Sequence, residues 1–261
     1  MNKKKLVLTI LIVLLMVVPF IAFSGSLPVV GDPASAPNTH TSDYYIEHTE
    51  DVANSPNMVT SVIVDFRAFD TMFETTVMFL AGVCVLLIVS EGKNRKKNSQ
   101  GLGEDVMPHH SRKNPVFNTV NKEVMISIVE PLILIYAIYV LFHGEVSLGG
   151  GFQAGALIAM TYLLDVMVSN RKKNIFTMDN HKAMAIAGLG PFIYCLCGIL
   201  TMIGGGLFLE YKNFPLPIEE LELHSIGILM VEVGVTVGVM CTIITILNTI
   251  LERVAFDDDV N

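Results

Sequence analysis

The sequence predicts an all-α integral membrane protein with about six transmembrane helices in two modules and both termini in the cytoplasm. Of its 261 residues, 52% are hydrophobic and only 16% are charged, whereas soluble domains carry about 25% charged residues. Long apolar runs recur along the chain, and basic and acidic loops alternate between them. Together these observations favour a multi-pass protein of the cell membrane.

The apolar runs set the number of predicted spans, because a helix needs about 20 residues to cross the hydrocarbon core of a bilayer. Six stretches meet this requirement: Leu6–Phe23, Thr71–Val89, Glu123–Phe142, Gly149–Val168, Ala183–Leu209 and His224–Leu251. The first has an alternative interpretation as a cleaved signal peptide, because the basic start MNKKK precedes it and the small residues AFSGS follow it. We favour a retained helix, which keeps the charge alternation consistent from the first residue.

The loop charges predict the orientation, since Lys and Arg concentrate on the cytoplasmic side of membrane proteins. The stretches 25–57 and 210–223 are acidic and contain one basic residue, Lys212. Of the 17 Lys and Arg residues, twelve lie before the first span or in the second and fourth loops: Lys3, Lys4, Lys5, Lys93, Arg95, Lys96, Lys97, Arg112, Lys113, Arg171, Lys172 and Lys173. Both termini and these two loops are therefore predicted to be cytoplasmic.

Two polar stretches divide the chain. Residues 24–55 contain three prolines and many Asn, Thr and Ser, which is typical of an irregular loop, here on the outer side. Residues 91–122 are basic and interrupted by Gly and Pro, and we interpret them as a cytoplasmic linker. The linker would join a two-span module at 1–90 to a four-span module at 123–261.

Three consecutive glycines occur in the stretch HGEVSLGGGFQAGALIAM, residues 143–160, where one predicted span ends and the next begins. Gly151 and Gly155 have the G-x-x-x-G spacing that lets a neighbouring helix backbone approach closely. Alternatively, the glycines break the helix and leave backbone groups free to meet an ion or water. The spacing alone does not separate these two interpretations.

Ionisable residues inside the spans are the main candidates for an ion path. Glu74, Glu130 and Glu232 lie within predicted spans, while Asp70 and Asp165 lie near span ends, where an interfacial position beside water is the alternative. An acid that faces lipid costs a few kcal/mol or more, so such residues usually face a packed interior or a hydrated path. These acids are therefore candidates for binding a proton or Na⁺ along an ion path.

Metal and enzyme chemistry are not indicated by the sequence. The four cysteines all lie in apolar runs, where cysteine usually behaves as a small hydrophobic residue, and the spacings typical of zinc sites are absent. No loop combines a nucleophile with a base. We expect no cofactor, no metal and no nucleic-acid partner, and a transporter subunit rather than an enzyme.

Two stretches resemble known families. VDFRAFDTMFETTVMFLAGVCVLLI, residues 64–88, resembles the carboxy-terminal segment of the large A subunit of Mrp-type cation/proton antiporters and the equivalent small subunit of archaeal membrane-bound hydrogenases. HGEVSLGGGFQAGALIA together with HSIGILMVEVGVTVGV resembles the B subunit of the same antiporters. The resemblances are consecutive and cover most of the chain after about residue 56. The chain thus looks like a fusion of two neighbouring subunits.

The resemblance implies which positions belong to the family signatures. Glu74 matches the acid after FDT. The remaining matches are the charged residues before that acid and the glycine pattern with its histidine: Asp65, Arg67, Asp70, His143, Gly149, Gly150, Gly151 and Phe152. The chain departs from the family at Met72-Phe73, where an apolar residue and a glycine are usual, and at Leu148, where proline is usual.

The resemblance also implies the function. It predicts a membrane subunit of a multisubunit Na⁺ or other cation/H⁺ antiporter module, with other antiporter-module membrane subunits, Na⁺, H⁺ and the lipid bilayer as partners. The alternatives are a non-catalytic subunit of a redox-driven complex, such as a membrane-bound hydrogenase or sulfur reductase with its redox subunits, and a structural scaffold. A self-contained transporter is disfavoured because the sequence lacks the inverted repeats typical of that class.

Overall fold

A computed structural model of the chain describes residues 3–27, 29–35, 37–99, 116–168 and 179–258. Throughout these ranges the chain forms helices joined by turns, without a β-strand. It divides into two units, residues 1–47 and residues 48–261. The predicted all-α class is confirmed.

The first unit contains α1, Lys3–Ser24, a π-helical turn at Pro37–Thr41 and the start of α2, Ser42–Ala53. The prediction of an irregular loop over 24–55 is wrong for α2. This helix is polar, so it lacks the apolar signal of a buried or spanning helix, but Asp43 lies in its first turn, where a negative charge favours the helix dipole. It ends at Asn54, which has φ of 51°, a conformation that Asn adopts more readily than most residues.

The second unit holds the remaining helices. They are α3 at Met58–Thr60, continued by a π-helical turn at Ser61–Phe66, then α4 at Ala68–Ser99, α5 at Val116–Phe142, α6 at Gly151–Val168, α7 at Asn180–Ala187, α8 at Leu189–Ile203 and α9 at Glu220–Asp258. A short 3-10 turn at Tyr211–Asn213 precedes α9.

Within the described part of the chain, five helical segments are long and apolar enough to cross a membrane: Leu6–Ser24, Ala68–Val89, Val124–Phe142, Asn180–Ile203 and Glu220–Leu251. The chain is therefore a multi-pass membrane protein, as predicted. The predicted number of six spans is confirmed only in part, because the fourth predicted span corresponds to a shorter apolar helix, Gly151–Val166.

The fifth predicted span ends earlier than expected. It was predicted to reach Leu209, but α8 stops at Ile203 and the chain turns at Gly205, whose φ of 93° suits glycine. The Thr201 hydroxyl fixes the return, since it donates to the Leu207 carbonyl at 2.9 Å and accepts from the Leu209 N–H at 3.1 Å. The apolar character of these residues continues past the helix, so hydropathy alone placed the end too late.

Helix α9 lies at the centre of the second unit, and α4, α5, α6, α7 and α8 all contact it. Its side chains Ile228, Val231, Val239 and Ile244 are buried. Small residues bring the neighbouring backbones close. A Cβ atom built at Gly190 of α8 would lie 2.9 Å from Cα of Gly238. The other helices of the unit therefore pack around α9.

The predicted linker at 91–122 is helical at both ends, since α4 continues to Ser99 and α5 begins at Val116. Residues 100–115 lie outside the described part of the chain, as does most of the basic loop after α6 at 169–178. The predicted division into modules at 1–90 and 123–261 stays a prediction.

The predicted orientation can be tested by cysteine labelling. We expect a cysteine at Ser42 to react with an impermeant thiol reagent on intact cells and a cysteine at Ser99 to react only after the cells are opened, because loops rich in Lys and Arg face the cytoplasm. The parent protein should lack the four native cysteines, which are free thiols. Labelling at Ser99 but not at Ser42 on intact cells would reverse the orientation.

Candidate functional site

The turn between α5 and α6, residues 143–150, is the glycine-rich stretch that the sequence singled out, and we call it the glycine turn. His143 begins it and stacks on Tyr139 of α5, with ring centroids 4.6 Å apart. Gly150 closes it with φ of 128°, a conformation that side chains disfavour, and its N–H donates to the Val140 carbonyl at 3.3 Å. The turn thus folds back onto the end of α5.

Helix α6 packs tightly on α9 through its glycines. A Cβ atom built at Gly151 would lie 2.2 Å from the carbonyl oxygen of Glu232, and one built at Gly155 would lie 2.7 Å from the carbonyl oxygen of Thr236. The Thr236 hydroxyl donates to the Gly151 carbonyl at 3.1 Å. The close backbone approach that the G-x-x-x-G spacing predicts is confirmed, and α6 is continuous from Gly151 to Val168.

The side chain of Glu232 is 3% exposed and lies under the glycine turn. A Cβ atom built at Gly144 would lie 3.0 Å from both carboxylate oxygens of Glu232, and one built at Gly150 would lie 3.2 Å from Oε1. Oε2 has no hydrogen-bond partner within the described residues. The absence of side chains at these two glycines therefore makes the space that the carboxyl group occupies.

A second carboxyl group, Glu145, follows Gly144 in the turn. It is half-buried and accepts a hydrogen bond from Ser225 of α9. Burial raises the pKa of Glu145, and the hydrogen bond from Ser225 opposes part of that rise. Glu145 and Glu232 interact electrostatically. Glu145 is not among the acids predicted from the sequence, because it lies between two spans and not within one.

Three polar residues before α4 form hydrogen bonds to the glycine turn. They are Ser55, Asn57 and Thr60, and we call them the clamp. The side-chain amide of Asn57 donates to the carbonyls of Gly144 at 2.9 Å and Ser147 at 2.6 Å. The Thr60 hydroxyl also donates to the Gly144 carbonyl, at 2.6 Å, and the Ser55 hydroxyl donates to the Glu145 carbonyl at 2.9 Å. The clamp satisfies carbonyl groups that the turn cannot pair internally.

We expect Asn57→Ala to destabilise the turn by about 1–3 kcal/mol, because the Ser147 carbonyl loses its donor whereas Thr60 still donates to the Gly144 carbonyl. The measurement is the thermal unfolding midpoint of the purified protein in detergent, together with the rate of proteolysis at residues 143–150. Asn38→Ala is the matched control, because Asn38 is exposed and its amide donates to the Asp32 carbonyl. Equal effects of the two substitutions would show that the clamp contributes nothing specific.

Asp65 and His224 form a second polar link to α9. Asp65 Oδ2 lies 2.7 Å from Nδ1 of His224, and both side chains are largely buried. Tyr211 lies edge-on to the His224 ring and donates its hydroxyl hydrogen to the Val64 carbonyl at 2.8 Å. Asp65 is predicted as a site residue from the family signature. His224 is not, since the sequence indicates it only as the first residue of a predicted span.

The remaining charged residues of that signature face a groove on the surface of the chain. Arg67 and Asp70 form an exposed ion pair, and Glu74 lies one turn further along α4 and is also exposed. The groove is lined by Arg67, Asp70, Phe73, Glu74, Val77, Met78 and Phe152. The structure therefore brings Phe152 of the glycine motif to the same groove as the charged signature.

The other predicted acids lie elsewhere. Glu130 of α5 is half-buried, and Asp165 is buried near the carboxyl end of α6. Neither lines the groove, and neither does Glu232. The described parts of the chain bring no three His, Cys, Asp or Glu side chains together in a way that could hold a metal ion.

Two family models match consecutive parts of the chain. Residues 29–97 match the MbhE model, which describes one subunit of MBH, and residues 122–245 match the model of a domain related to the MnhB subunit of Na⁺/H⁺ antiporter. The two predicted resemblances are confirmed in this order. The clamp and Asp65 belong to the first segment, whereas the glycine turn, His224 and Glu232 belong to the second.

The chain is also similar in sequence to two kinds of relative. An uncharacterized protein of Methanocaldococcus jannaschii is 29% identical over 206 residues, which cover 70% of this chain and 72% of the relative. The Na⁺/H⁺ antiporter subunit A1 of Staphylococcus aureus is 43% identical over 68 residues. Those residues cover 26% of this chain but only 8% of that subunit, so the chain spans a small part of it.

Two solved structures share the fold. A chain of the Mrp complex from Dietzia sp. DQ12-45-1b matches with a TM-score of 0.62 and 21% identity, over 95% of this chain and 26% of that chain. A chain of the membrane-bound sulfane sulfur reductase, an archaeal respiratory membrane complex, matches with a TM-score of 0.62 and 22% identity, over 95% of this chain and 98% of that chain.

Proposed function

We propose that this protein is a membrane subunit of a multisubunit cation/proton antiporter module, because its chain joins an MbhE segment to a domain related to MnhB. The observation that carries the proposal is the order of the two segments together with their contacts. The clamp of the first segment holds the glycine turn of the second, and residues 48–97 of the first segment lie in the same unit as the second.

The groove beside Glu74 supports a contribution to the ion path. It places an acid next to the Arg67–Asp70 ion pair on a helix that is otherwise apolar enough to cross a membrane. An acid on the surface of a spanning helix is costly when it faces lipid, so another subunit or a hydrated path is expected to cover the groove. Cations or protons could then be passed between this chain and its neighbours.

A redox-driven complex that contains the same module is the second candidate. It is favoured by the match over 98% of one chain of the archaeal sulfane sulfur reductase, whereas the matched chain of the Dietzia complex is much longer than this one. In such a complex the chain would have the same place in the membrane part, and separate redox subunits would supply the electrons. A purely structural scaffold is the third candidate, and it predicts that the intramembrane acids tolerate neutral amides.

Purification of the tagged chain in mild detergent tests these candidates by the identity of the proteins that accompany it. Large antiporter-like membrane subunits without an iron–sulfur or nickel protein would support a stand-alone antiporter. The same subunits together with such redox proteins would support the redox-driven complex. Recovery of the chain without any antiporter-like subunit would contradict the proposed function.

A further inference from the structure

The carboxyl group of Glu232 has surroundings that do not suit a charge. It is buried on α9 beneath Gly144 and Gly150, and its Oε2 has no hydrogen-bond partner among the described residues. Burying an ionised carboxylate without a partner is far more costly than burying a neutral carboxyl group. The geometry therefore favours the neutral acid.

We propose that Glu232 is a proton-binding site and that it exchanges its proton with Glu145 at the edge of the glycine turn. In this exchange the O–H bond of the Glu232 acid breaks and an O–H bond forms on the Glu145 carboxylate, so the negative charge moves to Glu232. The reverse transfer restores the first state. The proposal rests on the proposed function, within which this pair would be one step of the proton path.

A proton fits the site better than a metal cation. Hard cations are held by several oxygen atoms at once. The Glu232 carboxyl instead packs against the backbone of two glycines, and a Cβ atom built at Gly144 would lie only 3.0 Å from its oxygens. The described residues also include no cluster of three potential metal-ligating side chains.

Glu145 suits the role of exchange partner. It lies one residue from Gly144, is half-buried and interacts electrostatically with Glu232. Two nearby carboxylates do not readily ionise together. Ser225 donates a hydrogen bond to Glu145, which favours the charged form of Glu145 and leaves the proton on Glu232.

The helix turns that surround the Glu232 carboxyl offer no other ionisable side chain as an exchange partner. The first turns of α6, residues 151–161, and the turns of α9 on either side of Glu232, residues 228–236, contain no other ionisable side chain. His143, at the start of the glycine turn, stacks on Tyr139 of α5. Glu145 directly follows Gly144, the glycine that lies against the Glu232 carboxyl, so it is the acid of the turn next to this contact.

Infrared spectroscopy of the purified complex tests the protonation directly, because the carbonyl band of a carboxylic acid differs from the bands of a carboxylate. We expect a carboxylic acid band at neutral pH that is lost in Glu232→Gln and kept in Glu222→Gln, a matched change at an exposed acid of the same helix. A spectrum that Glu232→Gln leaves unchanged would overturn the proposal. Loss of the band on adding Na⁺ at constant pH would instead show a cation site.

The role of Glu145 is tested in the same spectra. Glu145→Gln removes the neighbouring negative charge, so the Glu232 band should disappear at a lower pH than in the wild type. An unchanged titration of the Glu232 band would show that the charge of Glu145 does not act on Glu232, and it would overturn the proposed proton exchange.

In vesicles, Glu232→Gln should lower proton exchange roughly tenfold, which corresponds to about 1.4 kcal/mol in the barrier. Wild-type exchange despite the lost band would show that the proton is only structural.

These outcomes are distinct from a failure of the proposed function. The infrared measurements report on the chain whichever subunits accompany it. Absence of antiporter-like partners would contradict the function while leaving the protonation of Glu232 measurable, and a lost proton site would leave membership of the complex unaffected.

Discussion

Gly151→Leu is expected to remove most of the assembled complex from native gels. The first side-chain atom would already lie 2.2 Å from the carbonyl oxygen of Glu232, a backbone atom that cannot rotate away. Overpacking of a filled interior costs about 1–3 kcal/mol or more even where side chains can adjust. Here α6 must move away from α9, so the packing of the whole glycine turn is affected.

Gly25→Leu is the control for this substitution. Gly25 has no atom within 4 Å of a built Cβ, so the same change in size and hydrophobicity meets open space. We expect its complex to be recovered at the wild-type amount. Normal recovery of Gly151→Leu with loss of transport would contradict the packing explanation and favour a direct role for the glycine backbone in ion passage.

Glu74→Gln is expected to assemble normally and to lower cation/proton exchange in membrane vesicles roughly tenfold, an effect of about 1.4 kcal/mol. The amide keeps the size and polarity of the side chain but removes its charge. Glu74 is exposed in a groove beside the Arg67–Asp70 ion pair, so little internal packing depends on it. Glu74→Asp keeps the charge one methylene further back and should reduce exchange less.

The amount of complex must be measured in the same vesicles, because loss of assembly would also abolish exchange. Glu50→Gln provides a matched change at an exposed acid of α2 and should exchange at the wild-type rate. Wild-type Na⁺/H⁺ exchange by Glu74→Gln over the whole pH range would identify Glu74 as a packed or interfacial acid and remove the groove from the ion path.

The spans could be predicted from the sequence because their signal is local. The apolar run that begins at Leu6 is predicted to end at Phe23 and its helix ends at Ser24, and the run that is predicted to end at Phe142 ends there. The errors have local causes too. The end of α8 at Ile203 was missed because glycine and apolar residues follow it, and α2 was missed because its residues are polar.

Several residues of the candidate site could be predicted from the sequence, but the contacts between them could not. The glycine motif and Glu232 were both identified from the sequence, yet they lie about 80 residues apart and periodicity cannot show that they touch. Asn57, Glu145 and His224 were missed as site residues for a related reason. Their importance comes from contacts across the fold, and none stands out by type within its own stretch of sequence.

The bonds between the clamp and the glycine turn also bear on how the protein is made. They join two segments that the family models treat separately, yet here one translation product contains both. Equal amounts of the two are therefore guaranteed, without matched expression of separate genes. Docking within one chain is also an intramolecular step, so its effective concentration does not depend on how much of each segment the cell makes. A few hydrogen bonds then suffice for an attachment that separate chains would have to achieve with a larger interface.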